Sequence, residues 1–199
     1  MIKIIDYKAG NAPSVMHAVK HLGFTAQFAR EAADLNGVSF IILPGVGSAR
    51  ATMDSLNEMN MIPTLEKLVL EEKTPFLGIC VGLQILFEYS EEEGGCNCLG
   101  WLKGRVERFE NSKVRVPQMG WNEVNFQDET ENGYFYYVNS YHAKPENTQD
   151  LWATSDYGGN FTAAVKRENI FGMQFHVEKS GEAGLRLLDG FVRKGCHQC

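Results

Sequence analysis

The sequence predicts an α/β fold: a mostly parallel central sheet with helices on both faces, continued by antiparallel strands in the second half. Three observations carry this. Short apolar runs alternate with stretches of helical periodicity over residues 1–90, the signature of βαβ units. Beyond them, apolar and polar residues alternate between turn signals, as antiparallel strands require. The chain of 199 residues, 44% apolar and 22% charged, has the composition of a globular protein with a substantial core. No repeat, low-complexity tract or linker interrupts it, so residues 1–199 are read as a single domain. A break near residue 95 is the alternative.

The elements follow in order. IKIID (2–6) reads as a buried strand and KAGNAPS (8–14) as a turn-rich loop. In the next stretch Val15, Met16, Val19 and Leu22 recur at helical spacing, with Ser14 as the cap and Gly23 as the stop. TAQFA (25–29) is a weak strand and VSFIILPG (38–45) a strong one, ended by Pro-Gly. Helices are expected over 48–57 and 61–72, a strand over 74–80, and a helix over 81–90 with Leu83, Leu86 and Phe87 on one side. The second half offers strand patterns in GRVERFE, VRVPQMGWNEVNF, YFYYVNSYHA, DLWATSDYGGNFTAAV and NIFGMQFHVE; EAGLRLLDGFVRK is an amphipathic helix. In parallel sheets ligands collect at the carboxyl ends of strands, and LPGVG and LGICVG are both junctions of that kind.

Charge and cysteine usage narrow the function. A net charge of -6 with no Lys/Arg run argues against nucleic acid as a partner. No apolar stretch is long enough to span a membrane. MIKIIDY lacks the basic, apolar and cleavage segments of a secretory leader, so a cytoplasmic protein with thiols rather than disulfides is expected. CNC (Cys96, Cys98) and CHQC (Cys196, Cys199) together offer four sulfur ligands. The first spacing is shorter than a zinc knuckle's and the second lies at the chain end. The expectation is a surface loop and a tail, with no metal and no cofactor.

Cys80 sits in FLGICVGLQ, between two glycines where a strand pattern meets a helical one. A buried core thiol and a nucleophile are both consistent with that setting. On a tight turn a nucleophile needs small residues two places away on each side. The start of the next helix favours thiolate, and the backbone N–H of Val81 faces the place where an oxyanion forms. A thiolate nucleophile also needs a base and a group to orient it. Of the five histidines, His17 and His21 lie on the first helix, His197 in the tail and His142 after an aromatic strand. His176 ends an apolar strand, and on an extended chain His176 and Glu178 share a face. The histidine–carboxylate pair, found in one chain with the cysteine turn, moves Cys80 to nucleophile.

Here the chain resembles the class I (triad) glutamine amidotransferase family, and within it the glutaminase subunits of imidazole glycerol phosphate synthase. The resemblance runs along DYKAGN (6–11), LPGVGSA (43–49), LGICVGLQ (77–84), PQMGWNEV (117–124) and QFHVEKS (174–180). It implies a class I glutamine amidotransferase-like (flavodoxin-like) three-layer sandwich. It implies that Cys80 attacks glutamine, His176 shuttles the proton and Glu178 orients His176, through a γ-glutamyl thioester. Val46, Gly47 and Val81 would form the oxyanion hole. Gly47, Gln84, Glu92, Ser140 and Tyr141 would hold glutamine. Asn11, Trp121, Tyr136 and Lys179, in a surface with exposed Tyr137, would face the partner, a (β/α)8 barrel cyclase of histidine biosynthesis that receives the ammonia. Lys8, Gln118, Asn139 and Val177 depart from the family pattern, with Val177 on extended backbone where proline is usual. These departures leave open a paralogue that feeds a different synthetase. A partner-binding subunit without catalysis is disfavoured by the intact triad.

Overall fold

The computed structural model describes residues 1–8 and 11–196, with side chains through 194. The thiols of Cys196 and Cys199, with His197, lie outside the described residues, as do Ala9 and Gly10 of the first loop. Four strands build the parallel half: β1 (Ile2–Ile5), β2 (Ala26–Ala29), β3 (Phe40–Gly45) and β4 (Phe76–Cys80). β1, β3 and β4 are buried along their whole length because both their faces are covered, whereas the edge strand β2 exposes Gln27. The second half supplies β5 (Tyr89–Ser90), β6 (Cys96–Asn97), β7 (Gly104–Arg108), β8 (Gln118–Phe126), β9 (Gly133–Asn139), β10 (Tyr141–Pro145), β11 (Leu151–Asp156), β12 (Asn160–Arg167) and β13 (Ile170–Met173).

These strands join in the order β2-β1-β3-β4-β13-β12-β10-β7-β5-β6, with β11, β8 and β9 branching from β12. β13 is the seam. It runs parallel to β4, with Gly172 opposite Gly78, and antiparallel to β12. The late strand is thus inserted beside the early ones, and strands from both halves share the sheet. The antiparallel expectation holds for most pairs of the second half; β13 with β4 and β5 with β7 are the parallel ones.

Helices α1 (Ala12–His21), α2 (Ala49–Glu58) and α3 (Ile62–Glu66) cross between the parallel strands. The chain leaves β1 toward β2 and later moves from β3 toward β4 in the opposite direction. Right-handed crossovers therefore place α1 on one face and α2 with α3 on the other. The last helix, α5 (Gly181–Cys196), touches α1 and shares its face. This is the three-layer sandwich expected from the sequence.

Four local expectations are corrected. α1 begins at Ala12, not after Ser14: the Asn11 carbonyl accepts from the N–H groups of Ser14 and Val15, and Pro13 suits a first turn. α3 does not run evenly to residue 72; its end widens into a π turn over Lys67–Glu71. Residues 81–90 form one helical turn, α4 (Val81–Gln84), and no more. The carbonyls of Ile85, Leu86 and Phe87, which a longer helix would use, instead accept from Leu99, Leu102 and Gly100. The Val177 segment is not extended: Val177–Lys179 is a 3₁₀ turn.

Packing around the β4 exit leaves no room for side chains at two glycines. A Cβ on Gly78 would stand 2.3 Å from the Gly82 carbonyl oxygen, and one on Gly82 would stand 2.1 Å from that of Leu43. Both obstacles are backbone, which cannot swing aside. Gly82→Ala is expected to lower the urea unfolding midpoint by an amount equivalent to about 3 kcal/mol; an unchanged midpoint would show that the strands separate freely there.

Candidate active site

Four neighbouring strand ends converge on one place. β3 delivers Val46 and Gly47, β4 delivers Cys80 and Val81, and the chain after β13 delivers Gln174 and His176. Asn11 arrives after β1. The strand order reverses at β1 and β3, so this is the crevice that an open parallel sheet leaves for a ligand.

Cys80 adopts φ 56 and ψ -108, outside the normal helical and extended regions for a residue with a side chain. Strain of this kind persists only where the surroundings fix it. Here β3, Gly78 and Gly82 do so. Because α4 is a single turn, little helix dipole acts on Cys80. What remains is local: the Val81 N–H, at the first helical position, has no acceptor within its own helix.

His176 is held from behind and from the side. Phe175 points away from the site into an aromatic cluster, 4.4 Å from the Phe135 ring and 5.8 Å from that of Tyr137. Alternation then turns Gln174 and His176 toward Cys80. The His176 N–H donates to the Tyr136 carbonyl at 2.9 Å. His176 Nδ1 lies 2.9 Å from Glu178 Oε1. The two meet through the tight turn, closed by the Lys179 N–H and the Ser180 hydroxyl on the His176 carbonyl, not by sharing a strand face. Val177 occupies the first position of that turn, where the proline usual in the family also fits.

Burial works against a charged imidazole at His176, but hydrogen bonds and charge from Cys80 and Glu178 outweigh it and raise its pKa from 6.5 to about 10. Burial likewise pushes the Glu178 carboxyl up, and bonds from His176 and Asn11 overcome this to hold it below 4.5. With Nδ1 on Glu178, Nε2 is left for Cys80.

A cavity of about 340 Å³ opens over Cys80, lined among others by Val46, Gly47, Val81, Gln84 and Glu92. Ser140, Tyr141 and His176 line it as expected from the sequence; Lys179, expected to face the partner, lines it too, and Pro117, Val138 and Asn139 also reach it. Glu92 spans two jobs: it lines the cavity and accepts the Ala49 N–H at 2.8 Å, pinning the start of α2. Its burial raises its carboxyl pKa.

Other expected residues lie elsewhere. Asn11, placed by the resemblance on the partner face, is buried; its amide donates to Glu178 Oε1 at 2.5 Å and touches His176 Nδ1 at 3.3 Å. Tyr137, expected to be exposed, is fully buried, its hydroxyl 2.7 Å from that of Ser155. Trp121 and Tyr136 meet edge to face on the β8–β9 hairpin, outside the cavity, and Trp121 is 56% exposed. Sequence reasoning missed Gln174, which is fully buried against Cys80; the same alternation that selected His176 and Glu178 pointed to it. Among the described residues Cys80, Cys96 and Cys98 are free, no cluster of three or more metal-ligating side chains occurs, and no helix is long and apolar enough to cross a membrane.

The opposed shifts predict a pH window. A lowered carboxyl value adds stability above pH 4.5, lost as pH falls through it; a raised imidazole value adds stability below pH 6.5, lost as pH rises toward about 10. The stability gap between the parent and Glu178→Gln, read by urea denaturation at fixed pH, should be widest between pH 4.5 and 6.5. A gap independent of pH would argue against a charged pair.

Residues 3–194 match the family described as glutamine amidotransferase class-I. The imidazole glycerol phosphate synthase subunit HisH of Leptospira interrogans is 44% identical over 96% of this chain and 99% of its own. The chloroplastic imidazole glycerol phosphate synthase hisHF of Arabidopsis thaliana is 40% identical over 96% of this chain, which spans 34% of that longer protein. A crystal structure of a glutamine amidotransferase superposes with a TM-score of 0.80 over 98% of both chains at 19% identity, a likeness of fold. The chain belongs to the class-I glutamine amidotransferase family, among the subunits of imidazole glycerol phosphate synthase.

Proposed function

We propose that this chain is the glutaminase subunit of imidazole glycerol phosphate synthase, hydrolysing glutamine to glutamate and ammonia for use in histidine biosynthesis. The observation that carries the proposal is that Cys80, strained on its turn, and His176 line one cavity, with Glu178 bonded to His176 from outside it.

The geometry suggests the following sequence. Cys80 gives its proton to His176, and the sulfur attacks the side-chain amide carbon of glutamine. The carbonyl oxygen, now negative, faces the Val81 N–H and the turn at Val46 and Gly47. Collapse of this intermediate returns the proton from His176 to the leaving nitrogen, so that ammonia departs and a γ-glutamyl thioester remains. Water then adds to the thioester with His176 as base, releasing glutamate and restoring the thiol. Glu178, oriented by Asn11, holds His176 in the required tautomer and stabilises its charged form. Both hydrogens of the Gln84 amide are used by Tyr141 O and Gln174 Oε1, so Gln84 offers the substrate its oxygen. Glu92, Ser140 and Tyr141 complete the glutamine pocket.

We place a (β/α)8 barrel cyclase on the face around the cavity mouth. Support comes from Met119, Trp121 and Tyr134, each more than half exposed on the β8–β9 hairpin, a patch that a partner's apolar surface would cover. Lys179, at the cavity rim, and Tyr136 extend that face. The Arabidopsis relative, whose printed name joins H and F, agrees with such a pairing. The reaction belongs in the cytoplasm, where free thiols stay reduced, and residues 1–199 act as one domain.

The test uses the chain with its cyclase. Glutamine turnover should be slow for the chain alone and accelerate when the cyclase and its nucleotide ligand are added. Cys80→Ala should abolish glutamine-dependent synthesis and leave ammonia-dependent synthesis intact. Retained glutamine use by that variant would overturn the assignment.

A further inference from the structure

We infer that Gln174 is a further catalytic residue, an amide donor that stabilises the Cys80 thiolate and whose orientation is fixed by Gln84. Gln174 is fully buried, and its Nε2 lies 3.7 Å from Cys80 Sγ, within reach of an N–H···S contact.

Which end of the amide faces the sulfur follows from its neighbours. The anchor is the Tyr141 carbonyl, a backbone group that only accepts. Gln84 must therefore present its NH₂ there, at 3.1 Å. The same nitrogen lies 3.1 Å from the other Gln174 amide atom, which must then be the oxygen. That leaves the Gln174 nitrogen, a donor, on the sulfur. The relay runs from the Tyr141 carbonyl through Gln84 and Gln174 to Cys80, and neither amide can flip without setting like groups against each other.

Besides His176, two polar groups near the sulfur favour opposite protonation states. The Val138 carbonyl, 4.0 Å away, accepts from a thiol and repels a thiolate. The Gln174 N–H does the reverse. A donor to an ionised acceptor is worth more than one to a neutral acceptor, and more again in a buried site. The inference rests on Cys80 acting as a nucleophile, and it adds a role that His176 does not perform: His176 removes the proton, whereas Gln174 holds the charge left behind.

The experiment follows iodoacetamide alkylation of Cys80 against pH in the full chain, resolved from other cysteines by peptide mass spectrometry. Gln174→Met keeps the volume and removes the N–H. Its Cys80 alkylation profile should move to higher pH, with the rate near neutrality falling about tenfold. Glutamine kcat with the cyclase should fall by a similar factor while KM changes little. Gln84→Met, which leaves Gln174 in place but frees its amide, should move the profile part of the way and decides the question if Gln174→Met fails to fold. An alkylation profile in the folded variant that coincides with the parent's would overturn the inference. Because the profile is read without glutamine, a parent complex that alkylates normally but turns over no glutamine counts against the glutaminase reading and not against this donor.

Discussion

The site depends on how tightly the chain leaving β4 folds back on β3. Gly82 lies so close to the Leu43 carbonyl that no side chain fits between them, and Gly78 is equally close to Gly82. A turn this compact forces Cys80 out of the ordinary backbone regions. Val81 and the Val46–Gly47 segment line the same cavity as Cys80. The backbone position of Cys80 follows from one steric constraint, supplied by two residues that have no side chains.

Around that turn, single residues serve two elements at once. Asn11 starts α1 with its backbone, yet its side chain is spent on Glu178 and does not cap the helix. Glu92 lines the cavity and holds the first turn of α2. Ser48 caps α2 and reaches Glu93 on the β5–β6 hairpin. A side-chain cap is worth about 1 kcal/mol, so its absence at Asn11 measures what α1 forgoes to place an amide on the buried carboxylate.

Much of this was legible in the sequence. The strand runs before Gly45 and Cys80, the glycines flanking Cys80 and the pairing of His176 with Glu178 are local signals, and each located its element. What escaped was set by contacts distant in sequence. The helix expected after Cys80 stops after one turn because residues 99–102 take its carbonyls. Asn11 looked like a surface residue because nothing near it in sequence reveals a carboxylate 167 positions away. Tyr137 looked like its exposed neighbours because register on a hairpin decides which aromatic faces inward. Glu178 was paired with the correct histidine on the wrong geometry: a 3₁₀ turn, not a strand, brings them together.

Phe175 has a consequence for how the site comes apart. Its ring lies among Phe135, Tyr137 and Phe126, so His176 and Gln174 ride on a residue that belongs to the hydrophobic core. The segment cannot peel away while that cluster is closed, and the His176 amide remains bonded to Tyr136. Opening this wall therefore means parting core contacts as well as surface ones. The hairpin outside, with Trp121 and Tyr134 in solvent, is under no such restriction. His176 is thus tied to the core, whereas the β8–β9 hairpin carries its exposed aromatic side chains outside it.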